Sequence, residues 1–297
     1  MSQQPQIAFH TNAFVWAGVN DLPAIAEFAL QAGYNALEIG PGIPLEEAVF
    51  RKVQERIGFS NFIYARNFID DDAAKAQAER SELYQRMRFA SALGVKNFVF
   101  STGISRRLSL PESGGMDPLQ SLAPVLDFLS EALELAETLD LHLLMENCPM
   151  YRNIATSPVM WRELFSRVDN PRLGLCYDPS HCVWQMIDVY EPIAEFGGRI
   201  RHIHLKDTAI DWQVIRQVGI LHNVGKERGI YPHQWWRHTI IGGGEIDWQH
   251  FHQELEKIHY TGSFSFEMED YEFELKPEKV KQGLQLQRDY LKKNWCM

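Results

Sequence analysis

The sequence predicts an α/β fold, a single (β/α)₈ TIM barrel that extends over residues 1–297. Short apolar segments alternate with longer amphipathic ones, which is the pattern of repeated βα units. Eight of the short segments suit strands, and eight is the number that closes a parallel barrel. No linker or low-complexity tract divides the chain, so we expect one domain. The expected strands are residues 6–10, 36–40, 59–65, 97–101, 142–146, 173–178, 201–206 and 263–267.

The longer segments carry apolar residues at spacings of three and four, which favours helices between the strands. Local signals support the first helix, because Asp21 is a good N-cap, Pro23 lies in the first turn and Gly33 follows the last residue. The expected helices are residues 22–32, 73–93, 119–139, 159–168, 248–259 and 277–291.

A long insertion after the seventh strand, at about residues 207–241, interrupts this alternation. It shows no clean periodicity, and a loop of that length in a compact domain usually covers or binds something. Because it leaves the C-terminal end of a barrel strand, we expect it over the active-site mouth, with Arg237 contacting substrate. An oligomer contact is the alternative. The eighth βα unit is weakly defined, with an expected strand of only residues 239–241.

The charge balance excludes several classes of partner. A net charge of −10 and a pI near 5.6 argue against nucleic acid and against anionic membrane surfaces. No signal peptide and no run of 18 apolar residues is visible, and the four cysteines form no CxxC pair. We therefore expect a cytoplasmic protein that binds a small molecule.

Four expected strand ends carry side chains that suit a metal ion. Alternation along each strand turns Glu146, Asp178, His204 and Glu267 inward, and a TIM barrel keeps its active site at this end. Three carboxylates and one imidazole favour one hard divalent ion. Mn²⁺ is preferred, and Mg²⁺, Co²⁺ and Zn²⁺ are alternatives. The competing interpretation is a pair of buried salt bridges to Lys206 and Arg237.

Other polar residues near these strand ends suit substrate binding. His181 follows Asp178 by three residues in an expected loop, and Lys206 could hold a substrate oxygen or a carboxylate. His10 and Trp16 could form a wall for a sugar ring, although Trp16 could equally serve packing alone. The run 242–244, three glycines, suits either an anion site at a helix N-terminus or simply a tight turn.

At these residues the chain resembles the sugar phosphate isomerase/epimerase group. These are xylose-isomerase-like TIM barrels that include ketose 3-epimerases, inosose dehydratases and endonuclease IV. The resemblance covers nearly the whole chain, and the order of its motifs is more specific than any one of them. The motifs are MEN at 145–147, YDPSH at 177–181, HIHLKD at 202–207, GGGEIDW at 242–248 and SFEMED at 265–270.

The resemblance implies that Glu146, Asp178, His204 and Glu267 bind one divalent ion and that His181 contacts substrate. In the epimerases the two metal-bound glutamates act as base and acid on either side of an enediolate, which implies these roles for Glu146 and Glu267. Members of the group usually form homodimers or homotetramers, so the resemblance also implies a homo-oligomer. We therefore expect a metal-dependent sugar isomerase or epimerase that takes a sugar or keto-sugar.

Two residue differences and the long insertion separate the chain from the ketose 3-epimerases. Their second substrate-gripping glutamate is replaced by Arg152, which we expect to bind substrate instead, and the arginine after the seventh-strand histidine is missing from LKDTAID. A looser likeness to proteins that act on 3-keto-glycosides makes a lyase, eliminase or dehydratase the alternative function.

Two further functions compete with these. Endonuclease IV needs extra metal-binding histidines from earlier strands, but NFIYARNF and NFVFSTG, at the third and fourth strand ends, contain none. The net charge also disfavours it. A non-catalytic metal or sugar binder is the remaining alternative.

Overall fold

The computed structural model describes residues 5–110, 117–150, 153–220 and 235–297. Ten strands lie within these residues, and eight of them coincide, to within one or two residues at each end, with the expected strands. The strands are β1 (Ile7–Phe9), β2 (Ala36–Ile39), β3 (Gly58–Tyr64), β4 (Asn97–Phe100), β5 (His142–Glu146), β6 (Leu173–Tyr177), β7 (Ile200–Leu205), β8 (Asp207–Ile210), β9 (Trp236–Thr239) and β10 (Ser263–Phe266).

Eight strands form one sheet in the order β1-β10-β7-β6-β5-β4-β3-β2. The pairs β1–β10, β3–β4, β4–β5 and β5–β6 are parallel. A parallel bridge between His10 and Glu38 connects the end of β1 with β2, so the strand order returns to its start. This is the topology of a (β/α)₈ barrel, and the predicted fold class is confirmed.

The predicted helices are present. Asp21 caps α2 by accepting a hydrogen bond from Ala24 N at 3.1 Å, and Asp247 caps α11 in the same way. Most of the helices that the sequence did not predict have fewer than eight residues, too few for periodicity to be read. The helices are α1 (Asn12–Trp16), α2 (Leu22–Ala32), α3 (Glu47–Gln54), α4 (Ala73–Ala92), α5 (Arg106–Ser109), α6 (Leu122–Thr138), α7 (Pro158–Arg167), α8 (Pro179–Trp184), α9 (Glu191–Phe196), α10 (Trp212–Val218), α11 (Trp248–Lys257) and α12 (Pro277–Trp295), with a 3₁₀ helix at Pro118–Ser121.

The chain groups into two compact units. The first contains the described residues up to Gly58, Asp178–Gly198 and Ile203–Met297, and the second contains Phe59–Tyr177 and Arg199–His202. Strand β7 therefore has residues in both. The expectation of one domain stays a prediction. The interior of the second unit includes a buried cluster of Ile63, Val99, Leu144 and Cys176, contributed by β3, β4, β5 and β6.

The insertion has secondary structure of its own. Strands β8 and β9 pair antiparallel, with Asp207 opposite Thr239, and α10 follows β8. The expected strand at 239–241 is wrong, because the strand ends at Thr239 and belongs to this separate two-stranded sheet. The amide of Ile240 donates to the side chain of Asp270 instead of to a neighbouring strand. Residues 221–234 lie outside the described part of the chain.

Candidate active site

Three of the predicted metal ligands lie together in the first unit. Asp178 directly follows β6, His204 lies in β7 and Glu267 directly follows β10. All three are buried, and each offers a ligand atom within 4.8 Å of the others. Asp178 is also the N-cap of α8, where Oδ1 accepts from Ser180 N at 2.9 Å, so Oδ2 is the oxygen that faces the cluster.

The imidazole of His204 is held as metal-binding histidines usually are. Nε2 lies 3.1 Å from Oε1 of Glu38, a fully buried residue of β2, while Nδ1 lies 3.7 Å from Oε1 of Glu267. A metal-ligating histidine almost always gives its other ring N–H to a carboxylate or carbonyl, which fixes its tautomer. The ring N–H is therefore on Nε2, towards Glu38. Nδ1, which faces Glu267, has the lone pair that could bind a metal ion.

A buried ammonium group joins the carboxylates of the cluster. Nζ of Lys206 lies 2.5 Å from Glu267 Oε2, 2.9 Å from Glu269 Oε2 and 3.1 Å from Asp178 Oδ2, and the lysine is 1% exposed. Of the two roles predicted for Lys206, the structure shows contact with carboxylates. Burial of these negative charges is costly unless cations offset it, and Lys206 supplies one such charge.

Two carboxyl groups of this cluster differ in pKa. Burial disfavours charge on Glu267, but Lys206, His204 and His10 outweigh it and hold the pKa of Glu267 well below its usual value. Burial raises the pKa of Glu269 to about 7; the charge of Lys206 opposes this shift, and the like charge of Glu267 adds to it. Glu267 is therefore ionised at neutral pH, whereas Glu269 takes up a proton near neutrality.

His10 belongs to the same cluster. Nδ1 of His10 lies 3.2 Å from Glu267 Oε1. Burial opposes protonation of His10, yet the hydrogen bond to Glu267 and the charge of Glu38 outweigh it and raise the pKa of His10. Gly40 makes room for this arrangement, because a Cβ there would lie 2.7 Å from His10 Nε2 and 2.2 Å from Asn12 Oδ1.

His181 lies in helix α8, not in the loop that the sequence predicted. It is 2% exposed, and burial together with the charge of Lys206 lowers its pKa well below 6.5, so the ring is neutral. Nε2 lies 3.4 Å from Asp178 Oδ2, but neither ring nitrogen makes a hydrogen bond within the described residues. Substrate contact by His181 stays a prediction.

Glu146, the fourth predicted ligand, is the last residue of β5 in the second unit and is 4% exposed. Its backbone is fixed by Asn153, whose Nδ2 donates to the Glu146 carbonyl at 2.5 Å. Oδ1 of Asn153 accepts from the backbone amide and the hydroxyl of Thr102, which follows β4. A single buried amide thus ties the ends of two neighbouring strands together.

The remaining predicted substrate contacts are spread more widely. Trp16 ends α1 and is 37% exposed. Arg237 lies in β9 with its guanidinium carbon 5.1 Å from the ring centroid of Tyr271. Arg152 lies outside the described residues. Substrate contact by these three stays a prediction.

The glycine run has a structural explanation. The buried carboxylate of Asp207 accepts from the amides of Gly242 and Gly244 at 3.1 Å each, and from Trp248 Nε1 at 2.8 Å. A Cβ on Gly244 would lie 2.3 Å from Asp207 Oδ1. The amides that an external anion would need already bind the protein's own carboxylate, which favours the tight turn.

Sequence reasoning missed four residues of this site, namely Glu38, Asp207, His238 and Glu269. Glu269 was detectable, because the alternation that turns Glu267 inward continues to position 269. Glu38 was also detectable as a carboxylate within the apolar segment ALEIG. His238 lies in the insertion, where no periodicity pointed to it.

A family model described as "Xylose isomerase-like TIM barrel" matches residues 26–290. The chain belongs to this family. The predicted resemblance is confirmed, and the proteins similar to this chain include dehydratases and epimerases.

Three individual similarities are informative. An inosose dehydratase of Geobacillus thermodenitrificans is 25% identical over 82% of this chain and 80% of its own length. The structure of D-psicose 3-epimerase from Clostridium cellulolyticum H10 matches with a TM-score of 0.71 and 12% identity, covering 97% of this chain and 99% of that one. IolI protein "with a binding zinc atom" matches at 0.66 and 17% identity, covering 98% of this chain and 100% of IolI. At these identities, the two structures show the fold alone.

The donor set in this chain suits a divalent ion. Asp178, His204 and Glu267 are buried, close together and of the hard oxygen and imidazole types, and Glu38 supports the histidine from behind. No helix within the described ranges is long and apolar enough to cross a membrane. The cytoplasmic location and the oligomeric state stay predictions.

Proposed function

We propose that this protein is a divalent-metal-dependent sugar isomerase or epimerase that removes a proton from the carbon next to a carbonyl group. The observation that carries the proposal is the buried group of Asp178, His204 and Glu267, in which His204 is oriented by Glu38. A set of ionised carboxylates and an imidazole is costly to bury unless it binds a cation. Lys206 offsets part of that charge, and a divalent ion would offset more.

Glu146 is the fourth ligand in this proposal. In the second unit, Glu146 of β5 pairs in register with Cys176 of β6, and Asp178 follows Cys176 by two residues along the chain. The proposal that both carboxylates bind one ion rests on the sequence, in which each lies at the end of a predicted barrel strand. We propose Mn²⁺ as the ion. When bound, it would polarise the substrate carbonyl and stabilise the negative charge that develops on its oxygen.

The protein's own residues supply the proton transfers. Glu267 is ionised at neutral pH because Lys206, His204 and His10 stabilise its charge, so it is available to accept a proton from substrate. Glu146 would deliver or remove the proton on the opposite face. Lys206 orients Glu267 through their short contact, and His181 offers a neutral ring to a substrate oxygen. Arg152, six residues after Glu146 in the sequence, would contact the substrate.

Elimination is the second candidate. It begins with the same proton removal but expels a group from the neighbouring carbon, as in a dehydratase or a keto-glycoside lyase. Two observations favour it: the similarity to an inosose dehydratase over 82% of this chain, and Arg152 at the place of the second glutamate of ketose 3-epimerases. The two candidates share the metal site and differ only in what leaves the substrate.

Incubation with keto-sugars in deuterium oxide separates the candidates. The probes are D-allulose, D-tagatose, inosose and a 3-keto-glucoside, each with Mn²⁺-loaded protein. Deuterium incorporation with the carbon skeleton and all hydroxyl groups retained supports the isomerase or epimerase, whereas an unsaturated product supports elimination. Absence of exchange in every probe contradicts the proposed function.

Glu267→Gln tests the assignment of the base. We expect the exchange rate to fall by about 10²–10⁴-fold, the usual contribution of a general base, because the amide cannot accept the proton. Glu256→Gln, on the exposed face of α11, is the matched control and should leave the rate unchanged. Near-normal exchange in Glu267→Gln would remove Glu267 from the acid–base role.

A further inference from the structure

Two imidazoles meet in the first unit beside the buried cluster of Asp178, Lys206, Glu267 and Glu269. The rings of His181 and His238 lie edge to face, with centroids 5.2 Å apart and an interplanar angle of 85°. They are 2% and 3% exposed. Burial and the charge of Lys206 lower the pKa of His238 well below 6.5, so this ring is uncharged at neutral pH.

Hydrogen bonding determines which nitrogen of His238 carries its proton. Oγ1 of Thr208 lies 2.9 Å from the carbonyl oxygen of Ser180 and 3.0 Å from Nδ1 of His238. The carbonyl can only accept, so the single hydroxyl proton of Thr208 belongs to that contact; otherwise two oxygens would face each other at 2.9 Å without a proton between them. Nδ1 of His238 must then be the donor to Thr208.

The consequence is that Nε2 of His238 carries a lone pair. A neutral imidazole has one donor and one acceptor nitrogen, and Thr208 takes the donor. Nε2 points to the cluster, 3.7 Å from Oε2 of Glu269, the oxygen that accepts from Lys206. The ring edge of His238 that faces the site is therefore an acceptor, and it is held in place by residues that are not themselves proposed metal ligands.

We infer that His238, together with His181, binds one hydroxyl group of the substrate and that Nε2 of His238 is the acceptor for that hydroxyl proton. A hydroxyl group both donates and accepts, so it can donate to His238 while it accepts from the N–H of His181. An acceptor nitrogen suits a hydroxyl group, which has a proton to donate, and disfavours the oxygens of a phosphate dianion, which have none. The inference rests on the proposed function and adds that this part of the substrate is an unphosphorylated hydroxyl group.

This makes His238 a specificity-determining residue. A site that is built to hydrogen-bond a hydroxyl group strongly rejects an analogue that lacks it, because the buried polar groups are then left without a partner. Removing the acceptor nitrogen from the protein and removing the hydroxyl group from the sugar should each weaken binding. Because both changes break the same hydrogen bond, the two losses of binding free energy should not add.

The first test measures the tautomer directly. Protein labelled with ¹⁵N-histidine and loaded with diamagnetic Mg²⁺ is examined by long-range ¹H–¹⁵N correlation at pH 7.5, with His238 assigned from the spectrum of His238→Asn. We expect a neutral ring protonated at Nδ1. Thr208→Val should abolish this preference, and Thr208→Ser, which keeps the hydroxyl, should preserve it. A ring protonated at Nε2 in the native protein overturns the inference, whatever the protein binds.

The second test measures binding of D-allulose and its single-deoxy derivatives by calorimetry with Mn²⁺-loaded protein. His238→Asn keeps an amide N–H for Thr208 but lacks Nε2, and we expect about 10–100-fold weaker binding of D-allulose, with Mn²⁺ content and melting temperature unchanged. One deoxy derivative should bind native protein and variant equally. Unchanged affinity in the variant overturns the inference. If no probe sugar binds native protein, the proposed function is contradicted, and the tautomer measurement alone decides the role of His238.

Discussion

Replacing Lys206 tests whether the buried carboxylates of Asp178, Glu267 and Glu269 depend on its positive charge. Nζ of Lys206 lies within 3.1 Å of carboxylate oxygens on Asp178, Glu267 and Glu269, and all four side chains are buried. Lys206→Met keeps the length and apolar stem of the side chain but removes the charge. Three carboxylates then lose the positive charge that stabilises them.

The expected loss of stability is large. Removing one partner of a buried ion pair costs about 3–5 kcal/mol, because the other charge is left uncompensated. For a domain of this size, 1 kcal/mol changes the melting temperature by about 2–4 °C, so we expect a fall of roughly 6–20 °C in metal-free protein. A bound divalent ion supplies positive charge to the same carboxylates, and saturating Mn²⁺ should therefore reduce this fall by at least half.

Differential scanning calorimetry at pH 7.5, in EDTA and in Mn²⁺, measures both effects. Lys293→Met, an exposed lysine in the last turn of α12, is the control and should melt within about 2 °C of the native protein. A change in Lys206→Met no larger than that of the control would refute the role of Lys206. If the melting temperature of Lys206→Met falls equally with and without Mn²⁺, the lysine and the metal ion do not stabilise the same carboxylates.

Two other predictions concern stability. The folded-state pKa of His238 is well below its unfolded value of about 6.5, so below that pH protonation of His238 favours the unfolded chain. The free energy of unfolding should therefore fall with pH below about 6.5, by about 1.4 kcal/mol per pH unit. Urea unfolding of metal-free protein at pH 7.5 and 5.5 should show a smaller pH-dependent loss in His238→Asn than in native protein; equal losses would contradict this protonation state. Gly244→Ala should lower the free energy of unfolding by about 3 kcal/mol, since its Cβ would meet Asp207 Oδ1 at 2.3 Å, whereas Gly198→Ala meets nothing within 4 Å and should be nearly neutral; similar values for both would contradict the close packing of this turn.

Most of the fold could be predicted from local sequence patterns. Eight strands were located because apolar side chains recur within short segments that are bounded by polar or glycine residues, and the same alternation gave the inward orientation of His204 and Glu267. The insertion was not accessible in this way. Its strands β8 and β9, of four residues each, pair with each other, and strands this short leave no periodic signal that separates them from a loop.

The candidate site was likewise only partly predictable from the sequence. Alternation predicted the ligand residues at the strand ends, and the structure brings Asp178, His204 and Glu267 together. It did not predict that Glu38 orients His204 or that Asp207 holds the glycine turn. In each case the residue type was visible, but its partner was not.

The sequence by itself determined which side chains face the interior at the ends of the strands, and hence the kind of chemistry this protein can support. Strand geometry is local, so a residue and its neighbours two positions away settle which face it takes. Only the tertiary structure decided which charges meet. His204 and Glu38 are 166 residues apart, and Lys206 and Glu267 are 61 apart. Contacts over such separations depend on the order in which parallel strands pair, and no local pattern specifies that order.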